Sequence, residues 1–206
     1  MKKIEFCFDF GSPTGYLAWD ILSRMAQKPG IEIDWHPMLL GGVFKATGNV
    51  SPVSIPAKGT YMFQDLQRFA DKYQVDYAFN QHFPINTLVL MRGAAGLLGD
   101  DRFETYVSAV YRAIWADNKN MGDMDTAGKV LVEAGFDPAE FMAMVSDDQV
   151  KVKLKTLTED AVEKGAFGAP TMYVGDEMFF GQDRLHFVAE SVGLNFSDIV
   201  PGYIKA

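Results

Sequence analysis

A single cysteine, Cys7, stands in a chain of 206 residues. One thiol excludes a disulfide framework, a thiolate zinc site and a Cys-x-x-Cys redox pair within the chain. Histidine is scarce as well. His36, His82 and His186 lie far apart, without a His-x-x-x-His spacing or an Asp-rich loop, so no metal site is expected. The Gly-x-Ser-x-Gly elbow of a serine hydrolase is also missing. Basic runs are absent, and 19 Lys and Arg against 27 Asp and Glu leave a net charge of −8. That balance works against the phosphate neutralisation on which nucleic-acid binding is built. Long apolar runs are lacking too. Met1-Lys2-Lys3 opens in the manner of a signal peptide, but Glu5 and Asp9 interrupt the stretch that follows. The apolar segment from Pro84 to Leu98 is broken by Asn86 and Arg92, short of a membrane span. The expectation is a soluble protein of a reducing compartment, the cytoplasm, with neither a membrane nor a nucleic acid as partner.

What is present is a core. Apolar residues make up 48% and aromatics 13%, which excludes a disordered chain. The length suits one large domain or a domain carrying an insertion. Ile4 to Phe10 alternates toward a buried strand that ends at Gly11. Ser12-Pro13 then has the form of a helix start, with Ser as N-cap and Pro at the first helical position. Tyr16, Leu17, Trp19, Ile21, Leu22 and Met25 form its apolar face, and Pro29-Gly30 stops it. Ile31, Ile33 and Trp35 alternate with polar residues into a second strand. Gly41 to Pro56 reads as a long loop, a kind of segment that is often functional. Helical spacing predicts Pro56–Tyr73, Asn86–Leu98, Arg102–Ala116, Thr126–Ala134, Pro138–Val145 and Asp148–Lys164. Thr171–Val174 and Glu177–Phe180 flank Gly175-Asp176 as a hairpin, and Asp183–Val192 is helical. The order β-α-β, helices, β-β-α predicts a mixed sheet split by a helical insertion.

Three places can carry chemistry. Ser12 sits where a helix N-terminus offers free N–H groups to an anion or thiolate, though from this segment alone it reads first as an ordinary N-cap worth about 1 kcal/mol. Ala169-Pro170 precedes a strand. A cis bond there would turn backbone outward toward a peptide-like ligand, whereas a trans bond would make it a plain connector. Asp183 either caps the last helix or receives a ligand ammonium. His36 and His82 read as hydrogen-bonded structural residues. Tyr106, Val110, Tyr111, Ile114 and Trp115 have the spacing of a core stripe, with Trp115 also placed to edge an aromatic pocket.

Five segments share a wider resemblance: Phe8-Asp9-Phe10-Gly11-Ser12-Pro13-Thr14-Gly15-Tyr16-Leu17-Ala18; Gly48-Asn49 with Pro56-Ala57-Lys58-Gly59 and Tyr61; Phe83-Pro84-Ile85-Asn86-Thr87; Gly165-Ala166-Phe167-Gly168-Ala169-Pro170-Thr171; and Phe179-Phe180-Gly181-Gln182-Asp183-Arg184-Leu185. In this order they resemble the kappa-class glutathione transferase and 2-hydroxychromene-2-carboxylate isomerase family, a thioredoxin-like group related to bacterial disulfide oxidoreductases. The resemblance implies an α/β fold. A thioredoxin-like β-α-β…β-β-α domain, residues 1–40 and 165–206, would carry a large all-helical insertion, residues 41–164. It implies glutathione as cofactor, a small aromatic carboxylate as substrate, a homodimer and a setting in aromatic catabolism.

Residue by residue, Ser12 matches the serine that hydrogen-bonds the glutathione sulfur. Asn49 and Lys58 match positions around the tripeptide, Lys58 facing its glycine carboxylate. Ala169, before a cis Pro170, would pair its backbone with the cysteinyl part. Gln182 and Asp183 match the pair that holds the γ-glutamyl group, and Asn86 resembles an asparagine of the isomerase branch. The two cysteine positions of the disulfide oxidoreductases are Ser12 and Gly15, which excludes dithiol chemistry. The chain departs from the pattern at Thr14-Gly15, because many members carry an aromatic residue after Ser-Pro. The implied activity is glutathione-dependent isomerisation of the 2-hydroxychromene-2-carboxylate type, by reversible addition of the thiolate. The alternatives are a kappa-like transferase or peroxidase, and a glutathione- or peptide-binding protein without turnover.

Overall fold

A computed structural model describes residues 1–203, so the last three residues of the expected 165–206 segment lie outside the described part. The first unit is β1 (Lys2–Phe8), α1 (Pro13–Ala26) and β2 (Ile31–Pro37), with β1 and β2 parallel. Seven helices follow: α2 (Leu40–Thr47), α3 (Pro56–Tyr73), α4 (Leu88–Leu97), α5 (Phe103–Trp115), α6 (Met124–Glu133), α7 (Pro138–Ser146) and α8 (Asp148–Glu163). The chain then returns through the antiparallel hairpin of β3 (Thr171–Val174) and β4 (Glu177–Phe180) to α9 (Leu185–Ser191). β3 pairs antiparallel with β1, so the sheet order is β2-β1-β3-β4.

The central strand shows why this order is stable. Ile4, Phe6 and Phe8 of β1 and Phe10 just beyond it are fully buried in the main core. Burying such a side chain is worth about 1.5–3 kcal/mol. Cys7 points the other way, into a smaller cluster with Met38, Val43, Ala161, Ala166 and Tyr173. Both faces of β1 are therefore covered, in keeping with its near-continuous apolar text. The main core draws on residues of the sheet, of α1 and of α3 to α5 without interruption.

The helix starts and stops follow their sequence signals. Ser12 Oγ accepts from Gly15 N at 3.0 Å, with Pro13 at the first turn of α1. Asp137 and Asp147 cap α7 and α8 in the same way. The hairpin and α3 have the expected bounds. Other elements differ. The first strand ends at Phe8 rather than Phe10, because Asp9 and Phe10 already belong to the turn toward Ser12. α4 begins at Leu88 instead of Asn86, whose side chain accepts from Leu88 N at 3.1 Å.

The largest difference is α2, which occupies the first half of the expected Gly41–Pro56 loop. Leu40, Val43 and Phe44 carry helical apolar spacing, and Gly42 serves close packing rather than a turn: a Cβ there would lie 3.1 Å from Thr158 of α8. The helix ends at Gly48 in the left-handed region, φ 73°. Asp183 does not cap the last helix either. It lies in a short 3-10 turn, Gln182–Arg184, before α9, and pairs with Arg184 at 2.8 Å.

Candidate active site

A cleft of about 1570 Å³ opens where the N-terminus of α1, the N-terminus of α2, the loops around α3 and the loop before β3 converge. Ser12 lines it and is only 3% exposed. Its hydroxyl lies 3.0 Å from the carbonyl oxygen of Ala169 and 2.9 Å from the Thr14 hydroxyl. Thr14 in turn donates to the same carbonyl at 3.1 Å. The Ala169-Pro170 bond is cis, as the Gly-Ala-Pro-Thr context anticipates, and so is Phe83-Pro84. A serine hydroxyl, the positive N-terminal end of α1 and an outward-turned backbone thus meet at one point. That arrangement suits a polarisable anion.

The other anticipated residues lie around this point. Asn49, Lys58, Asn86, Gln182 and Asp183 all line the cleft. Asn49 follows the end of α2, donates to the carbonyl of Phe167 at 2.8 Å and accepts from Val50 N at 2.8 Å. It ties the α2 end to the loop that carries Ala169. Lys58 projects from the exposed first turn of α3 with no acidic partner among the described residues. Gln182 is held by its carbonyl, which accepts from the buried Tyr73 hydroxyl at 2.8 Å. Gly181, φ 96°, lets the neighbouring Asp183 carboxylate fold back, since a Cβ there would sit 2.5 Å from Asp183 Oδ1. Pro170 is buried behind Ala169 and does not itself line the cleft.

Trp115 is elsewhere. It is fully buried, its indole N–H donates to the Phe10 carbonyl at 2.8 Å, and its ring packs behind Phe83, 5.8 Å between centroids. Phe83 meets the cleft and Trp115 does not. The indole is a core brace with its one polar atom satisfied, so the expectation that Trp115 edges a substrate pocket is corrected. The apolar wall is formed instead by Phe44, Ile55, Tyr61, Met62, Phe83 and Leu88.

One residue of the site was not singled out in the sequence. Asp9 lies at the floor of the cleft, 1% exposed. Its Oδ1 accepts from Gly11 N at 2.8 Å and from the Thr87 hydroxyl at 2.7 Å, and its Oδ2 accepts from Leu40 N at 2.8 Å. The carboxylate therefore joins the approach to α1, the first turn of α2 and the start of α4. Burial pushes its proton affinity up, and the three donors pull it back only in part. A lone acid inside the aromatic run Phe6–Phe10 was the available signal, because a charge at such a position is retained only where donors meet it.

Cys7 takes no part in the cleft. It is buried on the far face of the sheet, and burial pushes its thiol well up, away from the reactive thiolate form. Any sulfur chemistry at Ser12 needs a thiol from outside the chain.

A four-stranded sheet interrupted by helices, with a cleft built around a helix N-terminus and a cis-proline loop, defines a thioredoxin-type protein. The family described as "DSBA-like thioredoxin domain" matches residues 3–193, and the chain belongs to it. Similar curated proteins include the 2-hydroxychromene-2-carboxylate isomerase of Pseudomonas sp. (strain C18), 34% identical, covering 92% of this chain and 90% of that one. Glutathione S-transferase kappa 1 of Rattus norvegicus is 26% identical, covering 100% and 97%. A solved structure of a 2-hydroxychromene-2-carboxylate isomerase superposes with a TM-score of 0.85 at 30% identity, over 93% of this chain and 94% of that one. No helix among the described residues is long and apolar enough to cross a membrane.

Proposed function

We propose that this chain is a glutathione-dependent isomerase of the 2-hydroxychromene-2-carboxylate type. The observation that carries the reading is the single cleft in which the Ser12 hydroxyl, the Ala169 backbone, Asp183 and Lys58 lie together. The donor set suits a tripeptide with an ammonium at one end, a thiol in the middle and a carboxylate at the other. The names of the isomerase relatives support the choice of reaction.

Bound glutathione would supply a thiolate nucleophile that can also act as a leaving group. The chain's own residues would do the rest. Ser12 donates to the sulfur, and the positive end of α1 favours the anion, so the thiol pKa is lowered. A neutral serine does this without offering a competing nucleophile. Ala169 pairs its backbone N–H with the cysteinyl unit, its carbonyl being held by the Ser12 and Thr14 hydroxyls. Gln182 and Asp183 take the γ-glutamyl end, and Lys58 the glycine carboxylate. The Phe44–Tyr61–Phe83 wall receives the aromatic body and keeps water away, while Asn86 addresses a polar group of that substrate. The working form in this reading is a cytoplasmic homodimer engaged in aromatic catabolism.

The test is the fate of the thiol. Enzyme is mixed with trace glutathione and excess 2-hydroxychromene-2-carboxylate, and product and free thiol are followed together. Product far exceeding glutathione, with the thiol intact, is the expected result. Thiol loss in step with product makes the chain a transferase, and tight glutathione binding without turnover on this substrate or on transferase substrates makes it a binding protein.

A second expectation concerns affinity. Asp183→Asn replaces a charge-assisted pair by a neutral hydrogen bond, so the Kd for glutathione should rise about five- to tenfold. The rate at saturating glutathione should change much less, because this end is remote from the sulfur and contributes equally to ground and transition states. Calorimetric titration and steady-state kinetics separate the two. A fall in kcat with unchanged Kd would place Asp183 in the chemistry instead.

A further inference from the structure

Two hydroxyl protons serve three short oxygen contacts beside the cleft. Ser12 Oγ and Thr14 Oγ1 are 2.9 Å apart, Ser12 Oγ is 3.0 Å from Ala169 O, and Thr14 Oγ1 is 3.1 Å from the same oxygen. One acceptor position on Ser12 is already taken by Gly15 N at 3.0 Å. The carbonyl can be satisfied by either hydroxyl, so the protons have more than one arrangement on the same heavy-atom frame.

We propose that Thr14 is a positioning residue that frees the Ser12 proton for the glutathione sulfur by holding the Ala169 carbonyl in its place. The inference rests on the reading of Ser12 as the partner of that sulfur. Without Thr14, Ser12 owns one proton and faces two acceptors. Turning it toward the sulfur would strip Ala169 O of its donor in a site that a bound tripeptide closes to water, at a cost comparable with the bond gained. With Thr14 the carbonyl keeps a donor throughout, and Ser12 turns freely. In the other arrangement Thr14 donates to Ser12 and Ser12 to the carbonyl, and freeing Ser12 then takes only a turn of the Thr14 hydroxyl onto Ala169 O.

The local packing supports this division of labour. Gly15 follows Thr14, and a Cβ there would meet the Tyr111 hydroxyl at 3.0 Å, Ser12 Cβ at 3.1 Å and Ser12 Oγ at 3.3 Å. Glycine leaves Ser12 room to turn. Thr14 lines the cleft and is half-buried, so its hydroxyl is placed by the turn itself rather than by solvent.

The experiment titrates the thiolate absorbance of bound glutathione against pH in the wild type, Thr14→Val and Thr14→Ser. Valine keeps the branched shape and removes only the hydroxyl. The bound thiol pKa should rise by about one unit in Thr14→Val, a tenfold loss of thiolate at a fixed pH below it. The kcat/KM should fall about tenfold there and recover as pH rises through the new pKa, and Thr14→Ser should restore both. A valine variant that shifts only melting midpoint or Kd, with the thiol pKa unmoved while Ser12→Ala moves it, overturns the role of Thr14 alone. A wild type that binds no glutathione, or whose bound thiol titrates as free glutathione does, overturns the sulfur reading of Ser12 and this inference together.

Discussion

Ser12→Ala should raise the pKa of bound glutathione and cut kcat/KM by roughly ten- to hundredfold at neutral pH. A hydrogen bond to a charged group contributes about 1.5–3 kcal/mol, and each pKa unit corresponds to about 1.4 kcal/mol, so a rise of one to two units is expected. The sign follows from which form is stabilised. The Ser12 donor favours the thiolate, so its removal favours the neutral thiol, and the loss of rate is greatest below the raised pKa and narrows above it. Folding should suffer far less. The variant loses the side-chain cap on Gly15 N, about 1 kcal/mol, which for a chain of this size lowers Tm by about 2–4 °C. Thiolate titration and thermal melting of the same sample therefore separate chemistry from folding. A titration curve identical to that of the wild type would remove Ser12 from the mechanism.

The legible parts of this protein are those in which one local signal decides. Ser12-Pro13 starts α1 because a capping hydroxyl and a proline without an N–H suit the first turn. Gly175-Asp176 closes the β3–β4 hairpin because Gly175 adopts a left-handed φ of 61°. The site residues were legible as five separated segments, and the fold brings Ser12, Asn49, Lys58, Asn86, Ala169, Gln182 and Asp183 to one cleft. What stayed illegible depends on partners distant in sequence. α2 was hidden because its first N–H is met by Asp9, thirty-one residues earlier, and its Gly42 by Thr158 of α8. The helix opens on Leu-Gly-Gly, which has the composition of a turn and masks the apolar spacing of Leu40, Val43 and Phe44. Trp115 was misplaced for the same reason. A helical aromatic stripe gives the buried face but not that Phe83, from the loop before α4, covers Trp115 and takes its place at the cleft.

Asp9→Ala should produce the largest loss of stability of any single change around the cleft, about 2–4 kcal/mol. Three donors, Gly11 N, Leu40 N and the Thr87 hydroxyl, would lose their acceptor at once, and each orphaned buried group costs about 1–3 kcal/mol. Water entering from the cleft recovers part of this, and the variant also sheds the cost of burying a carboxylate. Because the fold holds the Asp9 proton more tightly than the ordinary carboxylate value of about 3.9, the unfolded chain releases that proton first as pH rises. Between the unfolded and folded values the folded state carries the extra proton, and stability falls with rising pH. The variant has no such segment. Its deficit against the wild type should therefore be largest in acid and shrink as pH rises through the folded pKa. Denaturant melts at several pH values measure this. A deficit under about 0.5 kcal/mol, the range of an ordinary surface substitution, would show that the carboxylate does not tie α1, α2 and α4 together. In that case the α2 side of the cleft must be held by its packing on α8 alone, and glutathione affinity should survive the substitution. The three-way tie predicts that affinity falls with stability, since Leu40, Phe44 and Asn49 all follow the α2 N-terminus that Asp9 anchors.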